Sequence, residues 1–526
     1  MTQIKYYLYD AFIGLLRSLR LSYFPPLMVY LAAGISGLTA IVGTFFVKDY
    51  LGLSAAFLAG LGFWAGLPWA LKMPLGHLVD LFWRYKNYFV YLGALVITTS
   101  LLIMYGLIAE TELMRSVMAV EAWFVLSVIL APIGYVLQDV VADAMTVEAV
   151  PTESHTGAPI PASEIKEMHT TMQALGRFAV IGGSLLVALL NVALFSGVEL
   201  LGVEEKRAVY ASIYIYALAI PWVSIVGVIL ARYLRFDQPD QRQVISKARP
   251  NWAVLNGSLL FVIFSVSVGS LDIPFAQEIV FLGSMLIILY LMSQLLGYLS
   301  EDKRLMVVGT AIAIFVFRAV PSPGPGLTWF EIDVLLFDEQ FLSVLAAISS
   351  ALTLLGIILF RPLVAHYSIA RIIVVLSLIG GCLFLPSIGM YYGLHQWTVT
   401  HTGGVVDARF IAIFNTALES PLGQISMIPL LAWIAKNAPD ELKATFFAVF
   451  ASFTNLALSA SALATKYINQ IFEISREVVD QTTEQVTTAA DYSELGFLLI
   501  AVALVTIIIP LSVVGLIQIS SLRSTD

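Results

Sequence analysis

Long apolar runs separated by short polar segments fill most of this chain of 526 residues. A helix rises about 1.5 Å per residue, so each run is long enough to cross the roughly 30 Å of hydrocarbon in a bilayer. The pattern therefore predicts a polytopic α-helical membrane protein. Fourteen spans are predicted, near residues 27–47, 54–71, 88–109, 117–140, 172–197, 210–231, 252–271, 277–298, 303–320, 341–360, 371–393, 409–434, 442–468 and 495–519.

A polar gap with five basic residues, at 232–251, divides these spans and is typical of a cytosolic linker. Six spans before it form a predicted bundle over 27–231, and six later spans form a second bundle over 301–526. The pair over 252–300 is predicted to be an insertion. Two bundles of six helices are the plan of the major facilitator fold, whose substrate site lies between the halves near the membrane midplane. We therefore expect that all-α fold with an extra helix pair.

The composition indicates that lipid is the solvent. Hydrophobic residues make up 59% of the chain and charged residues 12%, and the mean hydropathy is +0.88. A soluble domain carries about a quarter charged residues, because its surface must be solvated. The single cysteine, Cys382, excludes an internal disulfide. We expect it to be buried, because it lies in an apolar run.

The distribution of Lys and Arg predicts the orientation in the membrane. Residues 1–26 mix basic and apolar positions, which is typical of an amphipathic helix on the inner membrane face. With the N-terminus inside, nineteen of the 28 Lys and Arg residues fall on inner segments and eight on outer ones, while Arg177 lies within a span. We expect both termini in the cytosol and a plasma-membrane location, with an organelle or thylakoid membrane as the alternative.

The loop after the second predicted span carries a charged motif. The string KMPLGHLVDLFWRYK contains Gly76, Asp80 and Arg84 in the order G-x-L-x-D-x-x-x-R, and it begins at Lys72. It resembles the loop signature between spans two and three of major facilitator proteins. A glycine lets two helices approach closely, and an aspartate accepts hydrogen bonds from a helix N-terminus and an arginine. We predict that these four residues form a gate; the alternative is an ordinary positive-inside loop.

Six segments together resemble the folate–biopterin transporter family. The most specific is QDVVADAMTVE at 138–148, at the end of the fourth predicted span. The others are KMPLG at 72–76, QALGRFAVIGG at 173–183, RAVPSPGPGLTWF at 318–330, ESPLGQISMIPL at 419–430 and PDELKATFFAVFASFTNLA at 439–457. The resemblance implies a major facilitator fold and proton-driven uptake of folates or pterins.

The chain departs from that family in two places. One is the extra helix pair at 252–300, and the other is an acidic outer loop at 473–494. The extra pair is a candidate docking surface, so a protein partner stays open as an interpretation.

Charges within spans are costly, about 2.5–3.5 kcal/mol each on insertion scales, and therefore need a reason. Asp139 and Asp143 are four residues apart and share one helix face. Two adjacent acids in a low dielectric do not both ionise cheaply, which favours a proton-coupling role. The alternatives are a structural pair with Arg177 or Lys72, or a solvated helix end.

Arg177 begins the fifth predicted span and is predicted either to hold an anionic substrate or to neutralise Asp143. The glycines that follow it, Gly182 and Gly183, are expected to allow close helix packing.

Glu419 is the deepest acid of the second bundle, and Pro421 with Gly423 predicts a broken helix beside it. An irregular backbone at that depth usually lines a cavity, so we predict a role in substrate binding and proton coupling. The alternative is a protonated or paired packing residue.

Other polar and aromatic residues complete the candidate site. Polar side chains that could bind a pterin edge, or alternatively link helices, are Gln173, Asn415, Gln424 and Asn455. Arg318 is predicted to guide an anion inward, or else to reach the membrane surface as an interfacial arginine. Trp329 is expected in the aromatic belt.

No nucleophile–base arrangement, phosphate-binding glycine loop or metal-ligand spacing is found in the sequence. We therefore expect no enzymatic activity, no metal or other cofactor, and no nucleic-acid partner. The leading hypothesis is a secondary active transporter of a small, folate- or pterin-like organic anion, coupled to protons and working by alternating access. Its expected partners are that anion, protons and membrane lipid. The alternatives are a transporter of another organic solute and a non-transporting assembly factor for a pigment or complex.

Overall fold

The structure is a computed structural model that describes most of the chain. The described residues are 17, 19–51, 53–70, 72, 75, 79, 82, 85–151, 159–234, 263–265, 267–269, 273–297, 299–366, 368–422, 443–479 and 486–522. Most of the predicted segment 1–26, most of the linker 232–251 and most of the first inserted helix lie outside the described residues.

The described residues are predominantly helical. The helices are α1 (Phe24–Ile35), α2 (Ala40–Tyr50), α3 (Ala55–Ala70), α4 (Lys86–Ala109), α5 (Thr111–Val117), α6 (Val120–Ala149), α7 (Ala162–Leu194), α8 (Val203–Ala217), α9 (Ile220–Tyr233), α10 (Ala276–Leu296), α11 (Glu301–Arg318), α12 (Pro325–Asp333), α13 (Glu339–His366), α14 (Ile369–Cys382), α15 (Leu385–Tyr391), α16 (Leu394–His401), α17 (Ala408–Glu419), α18 (Lys443–Ile471) and α19 (Leu495–Ile519). Local sequence explains several starts. Proline in the first turn begins α1 and α9, and the Asp407 side chain caps α17 by accepting from the Phe410 amide at 2.8 Å.

Among the described residues, nine helical stretches are long and apolar enough to cross a membrane. They are Leu21–Tyr50, Lys86–Ala109, Val120–Thr146, Thr171–Leu200, Val203–Tyr233, Ala276–Gln294, Glu339–Ile358, Ile369–Tyr391 and Leu495–Ile519. Their bounds lie within a few residues of most predicted spans, because span length is set by the thickness of the hydrocarbon layer. The predicted total of about fourteen spans stays a prediction.

The chain forms two compact units whose segments alternate along the sequence. The first unit comprises Met1–Thr44, Pro74–Leu255 and Glu339–Leu359. The second comprises Phe45–Met73, Asn256–Asp338 and Phe360–Asp526. The predicted division of the chain at the linker into contiguous bundles stays a prediction.

Close helix contacts build the first unit. A Cβ atom on Gly93 of α4 would lie 2.6 Å from the Gly134 carbonyl oxygen of α6, so these two backbones meet. In the same way α1 meets α7, because a Cβ atom on Gly183 would lie 2.9 Å from the Leu31 carbonyl oxygen. This confirms the close packing expected at Gly183. The same expectation fails at Gly182, because a Cβ atom there would have no neighbour within 4 Å. Small residues let helices associate in lipid, where burying apolar surface adds little.

The second unit includes the second inserted helix, α10. The buried side chains Phe63 of α3, Val280 of α10 and Leu463 of α18 form one apolar cluster. Beside it, the Lys466 ammonium nitrogen lies 3.0 Å from Glu278 Oε1 and donates to it. The inserted helix is therefore packed on two other helices of its unit.

A short hairpin precedes α19 and adds the two strands of the described residues to the helical fold. Strands β1 (Val478–Val479) and β2 (Val486–Thr488) pair antiparallel, and an isolated bridge joins Ser475 to Asp491. The acidic outer loop predicted from the sequence thus contains ordered backbone pairing.

Two expectations about single residues are wrong. Cys382, expected to be buried, is exposed at the end of α14. An apolar run in lipid has no need to bury every side chain, so position in such a run did not determine burial. Trp329, expected in the aromatic belt, is only 2% exposed because a loop residue covers it, as described below.

Candidate functional site

The acid pair of α6 meets a tyrosine of α1. The Tyr30 hydroxyl donates to Asp143 Oδ1 at 2.5 Å, and the tyrosine is 7% exposed. Asp139 and Arg177 also act electrostatically on this hydroxyl. The structure therefore brings two predicted acids and the predicted base together around one hydroxyl. We call Tyr30, Asp139, Asp143 and Arg177 the span cluster.

Helix α7 contributes a polar face to the span cluster. Gln173 and Arg177 are one turn apart on α7, and both side chains are exposed. The Gln173 amide nitrogen donates to Thr146 Oγ1 at 3.5 Å, while the Thr146 hydroxyl donates to the Asp143 backbone carbonyl at 2.6 Å. The predicted binding residues of α7 thus lie beside the acid pair of α6, and their roles stay predictions.

Glycine at one position lets α7 approach the tyrosine. A Cβ atom on Gly176 would lie 2.9 Å from Tyr30 Cε2 and 3.0 Å from Cδ2, which is closer than real Cβ contacts. The ring of Tyr30 therefore lies directly against this glycine. Gly176 immediately precedes Arg177, so one turn of α7 both contacts the ring of Tyr30 and carries the arginine of the span cluster.

Polar contacts at the ends of α4 and α6 hold the acid-bearing helix in place. The Lys86 ammonium nitrogen lies 2.6 Å from Glu148 Oε1, and the two side chains are 13% and 14% exposed. Gln138 donates to the Val90 carbonyl at 3.3 Å and accepts from the Ser224 hydroxyl at 2.8 Å. These bonds fix α6, and hence the position of Asp143, by hydrogen bonds to neighbouring helices.

In the second unit, α17 carries two of the predicted site residues. The helix ends at Glu419 and continues as a 3-10 turn over Ser420–Leu422, which confirms the predicted break. The Glu419 side chain is exposed. Asn415 lies one turn earlier on the same face, and its Oδ1 atom is buried without a hydrogen-bond partner among the described residues. An unmet amide oxygen beside a carboxylate is suited to accept from the N–H groups of a ligand.

The remaining predicted residues are placed as follows. The Asn455 amide nitrogen donates to the Trp69 carbonyl at 3.2 Å, which links α18 to α3. Arg318 is the last residue of α11, and Lys72 is a helical position. Gly76, Asp80, Arg84 and Gln424 lie outside the described residues. The predicted gate, the anion-guiding role of Arg318 and the binding role of Asn455 stay predictions.

A second charged group lies at the hairpin of the second unit. The Lys48 ammonium nitrogen is 2.6 Å from Asp333 Oδ1, and the Tyr492 hydroxyl donates to Asp333 Oδ2. The Arg476 guanidinium lies 4.9 Å from the centre of the Trp329 ring. We call these five residues the loop cluster. Neither a pattern nor a motif in the sequence indicated it, because its members come from three distant segments: the end of α2, helix α12 and the hairpin before α19.

Burial governs the electrostatics of the loop cluster. Arg476 is 2% exposed and donates from Nη1 to the Val47 carbonyl at 2.5 Å. Burial lowers the pKa of its guanidinium to about 10, against the opposing effect of Asp49. Burial, and then the hydrogen bond to Asp333, raise the pKa of Tyr492. Nearby on α12, burial raises the pKa of the Glu331 carboxyl to about 7.

Sequence reasoning missed the Tyr30 hydroxyl. Tyr30 and Asp143 are 113 residues apart, and a tyrosine in an apolar run near a membrane face is usually a belt residue. The one local sign of a close contact was Gly176, directly before Arg177, but the sequence does not show that Tyr30 packs against this glycine. Among the described residues, no group of three or more His, Cys, Asp or Glu side chains is placed to hold a metal ion.

Comparison with solved structures identifies the fold. A POT family transporter in complex with 5-aminolevulinic acid matches with a TM-score of 0.62 and 12% identity, over 96% of this chain and 96% of that chain. The nucleoside transporter NupG matches with a TM-score of 0.52 and 12% identity, over 95% of this chain and 100% of that chain. At such identities the likeness shows the fold alone, which is the predicted major facilitator fold.

The family follows from the sequence. The model of the BT1 family matches residues 33–524, and this chain belongs to that family. A folate-biopterin transporter of Synechocystis sp. (strain ATCC 27184 / PCC 6803 / Kazusa) is 20% identical over 436 residues, which cover 82% of this chain and 71% of that protein. Folate transporter 2 of Plasmodium falciparum (isolate 3D7) is 20% identical over 201 residues, 38% of this chain and 42% of that protein. The predicted family resemblance is confirmed, and the protein is a multi-pass membrane transporter rather than an enzyme.

Proposed function

We propose that this protein carries folate- or pterin-like organic anions across the membrane together with protons. The names of the two relatives support the substrate class. The observation that carries the proposal is the span cluster within membrane-spanning helices, in which the Tyr30 hydroxyl donates to Asp143 while Asp139 and Arg177 act electrostatically on this hydroxyl.

The charges of the span cluster support coupling between a proton and an anion. Asp139 and Asp143 share one face of α6, and two adjacent acids in a low dielectric do not both ionise cheaply, so the pair is suited to take up one proton. Less negative charge near Arg177 then strengthens its attraction for a substrate carboxylate, which guanidinium groups bind with two parallel hydrogen bonds. Release of the proton restores the negative charge and favours release of the anion.

The second unit carries hydrogen-bond acceptors of its own. The unmet Oδ1 atom of Asn415 and the carboxylate of Glu419 lie on one face of α17. Both accept hydrogen bonds, as the N–H groups of a pterin ring require. We therefore propose that α17 contributes acceptors for the ring of the substrate.

Uptake into liposomes tests the proposal. Purified protein should accumulate labelled folate when the outside is more acidic than the inside, and a protonophore should abolish the accumulation. Asp143→Asn should lose accumulation driven by the gradient. Folate accumulation that is the same with and without the pH gradient would refute proton coupling. A lack of uptake across folates and pterins would refute the substrate class, and a thermal-shift screen of other organic anions would then test the alternative substrate.

We also propose that both termini face the cytosol of a plasma membrane, as the distribution of Lys and Arg indicates. Single cysteines introduced into Cys382→Ser protein test this orientation in whole cells. A membrane-impermeant maleimide should label Glu477→Cys in the hairpin, whereas Glu164→Cys at the start of α7 should react only after permeabilisation. The reverse pattern would overturn the orientation.

A further inference from the structure

We propose that Tyr30 is a positioning residue that holds the Asp143 carboxyl in place, and that Gly176 fixes the ring of Tyr30 by packing against it. Tyr30 acts through Asp143 and need not touch the substrate. The inference rests on the proposed proton-coupled transport, and it specifies which side chain controls the acid on α6.

The hydrogen bond between Tyr30 and Asp143 can follow the carboxyl through both protonation states. The hydroxyl donates to Asp143 Oδ1 at 2.5 Å, as an ionised carboxylate requires. A hydroxyl has one donor and two acceptor lone pairs, so it can instead accept from a protonated carboxyl. Tyr30 therefore keeps Asp143 in one place while the proton comes and goes. Phenylalanine can do neither, although it fills the same space.

The position of the hydroxyl depends on the packing of Gly176 against one edge of the ring. Tyr30 is 7% exposed, and its Cε2 and Cδ2 atoms lie at 2.9 and 3.0 Å from where a Cβ atom on Gly176 would be. Alanine at 176 must therefore displace the ring and, with it, the hydroxyl. No polar group is lost in that substitution. Two changes on different helices, Tyr30→Phe on α1 and Gly176→Ala on α7, should thus have the same consequence.

The chain supplies a matched control for each change. Tyr135 on α6 is another tyrosine with a hydrogen-bonded hydroxyl, whose partner is Ser36. Gly182 lies on α7 like Gly176, but a Cβ atom there would have no neighbour within 4 Å. Tyr135→Phe removes a hydroxyl from α6, and Gly182→Ala adds a methyl group to α7; neither change removes the partner of Asp143.

Uptake by these variants is the first measurement. Tyr30→Phe and Gly176→Ala should each lower proton-driven folate uptake about tenfold, the order expected of one hydrogen bond to a charged group, and should alter its pH profile. Tyr135→Phe and Gly182→Ala should match the wild-type rate and profile. Wild-type uptake and pH profile of Tyr30→Phe would overturn the inference.

Infrared difference spectroscopy tests the same inference without transport. The carboxyl bands of Asp143 are those that differ between wild-type and Asp143→Asn protein in membranes. They should shift in Tyr30→Phe and Gly176→Ala, and stay in place in Tyr135→Phe and Gly182→Ala. If wild-type protein takes up no folate, the proposed function fails while these spectra still decide the role of Tyr30. Unshifted bands in Tyr30→Phe would refute that role.

Discussion

The span cluster of the first unit and the loop cluster of the second unit contain the same kinds of side chain in different numbers. Each contains a tyrosine hydroxyl that donates to an aspartate, together with at least one basic side chain. In the loop cluster, two bases, Lys48 and Arg476, face the acids Asp333 and Asp49. In the span cluster, two acids share one face of a membrane-spanning helix with an arginine near them. The loop cluster is suited to holding segments together, and the adjacent acids of the span cluster favour uptake of a proton.

The cost of charge in the membrane explains why the location of each cluster matters. An ionised side chain within a span costs about 2.5–3.5 kcal/mol, and ionisable groups there usually mark a transport pathway. The loop cluster lies mostly outside the membrane-spanning segments, where this insertion cost does not apply. The comparison therefore predicts that substitutions in the span cluster impair transport, while those in the loop cluster impair stability.

The largest effect is expected from Arg177→Gln. Removing the base of the span cluster should lower folate uptake about tenfold to a hundredfold, as the loss of a charge-assisted hydrogen bond implies. The melting temperature should change little, because the Arg177 side chain is exposed. Initial uptake rates per folded molecule and thermal unfolding in detergent measure the two quantities.

Arg177→Lys is the control, because it keeps the charge but loses the planar guanidinium. It should retain part of the uptake. A variant Arg177→Gln that unfolds more easily but transports normally would place the arginine in a structural role and end the distinction between the two clusters.

Arg476→Gln should have the opposite result. The substitution removes the guanidinium donor from the Val47 carbonyl, which keeps the Leu51 amide as a donor at 3.3 Å, and it removes the cation from the Trp329 ring. A hydrogen bond that involves a charged group contributes about 1.5–3 kcal/mol, so the protein should melt at a lower temperature. Uptake per folded molecule should be unchanged. The exposed neighbour Glu477→Gln is the control and should leave both quantities as in wild type. Impaired uptake by folded Arg476→Gln would give the loop cluster a part in transport.

The two clusters differ in how much of them the sequence could predict. Helical periodicity placed Asp139 and Asp143 on one face, and the glycine motif after Arg177 correctly indicated close packing at Gly183. Both inferences concern residues within a few turns of one helix. Hydrophobic length likewise predicted α19 at its observed bounds, Leu495–Ile519.

Contacts between distant segments were beyond such reasoning. The partner of Asp143 is 113 residues away on α1, and the base that covers Trp329 comes from the hairpin before α19. Local period and composition specify which face of a helix is polar, but they carry no information on which other helix meets that face. Tyr30 and Trp329 therefore both resembled belt residues in the sequence, although their side chains are buried in the structure.

A smaller effect, on the pH dependence of stability, is expected from Glu331. Burial raises the pKa of this carboxyl from 4.5 to about 7 in the folded protein, so the folded state binds more protons than the unfolded state between these values. The contribution of Glu331 to stability should be full below about pH 4.5 and should be lost as the pH rises through about 7. Glu331→Gln should flatten this part of the curve. Melting temperatures at a series of pH values measure it, and a curve for Glu331→Gln that parallels wild type would contradict the assignment to this residue.

The smallest effect separates two asparagines of the second unit. Asn455 donates to the Trp69 carbonyl, and such a bond between helices in lipid contributes about 0.6 kcal/mol. Asn455→Ala should therefore cost little stability and leave the Kd for folate unchanged, since its amide is used in helix packing. Asn415 has an unmet Oδ1 atom among the described residues, so Asn415→Ala should weaken folate binding without loss of stability. Equilibrium binding and thermal unfolding on both variants check this contrast. Weaker binding by Asn455→Ala, with Asn415→Ala unaffected, would reverse the roles and return Asn455 to the substrate site that its position in the sequence suggested.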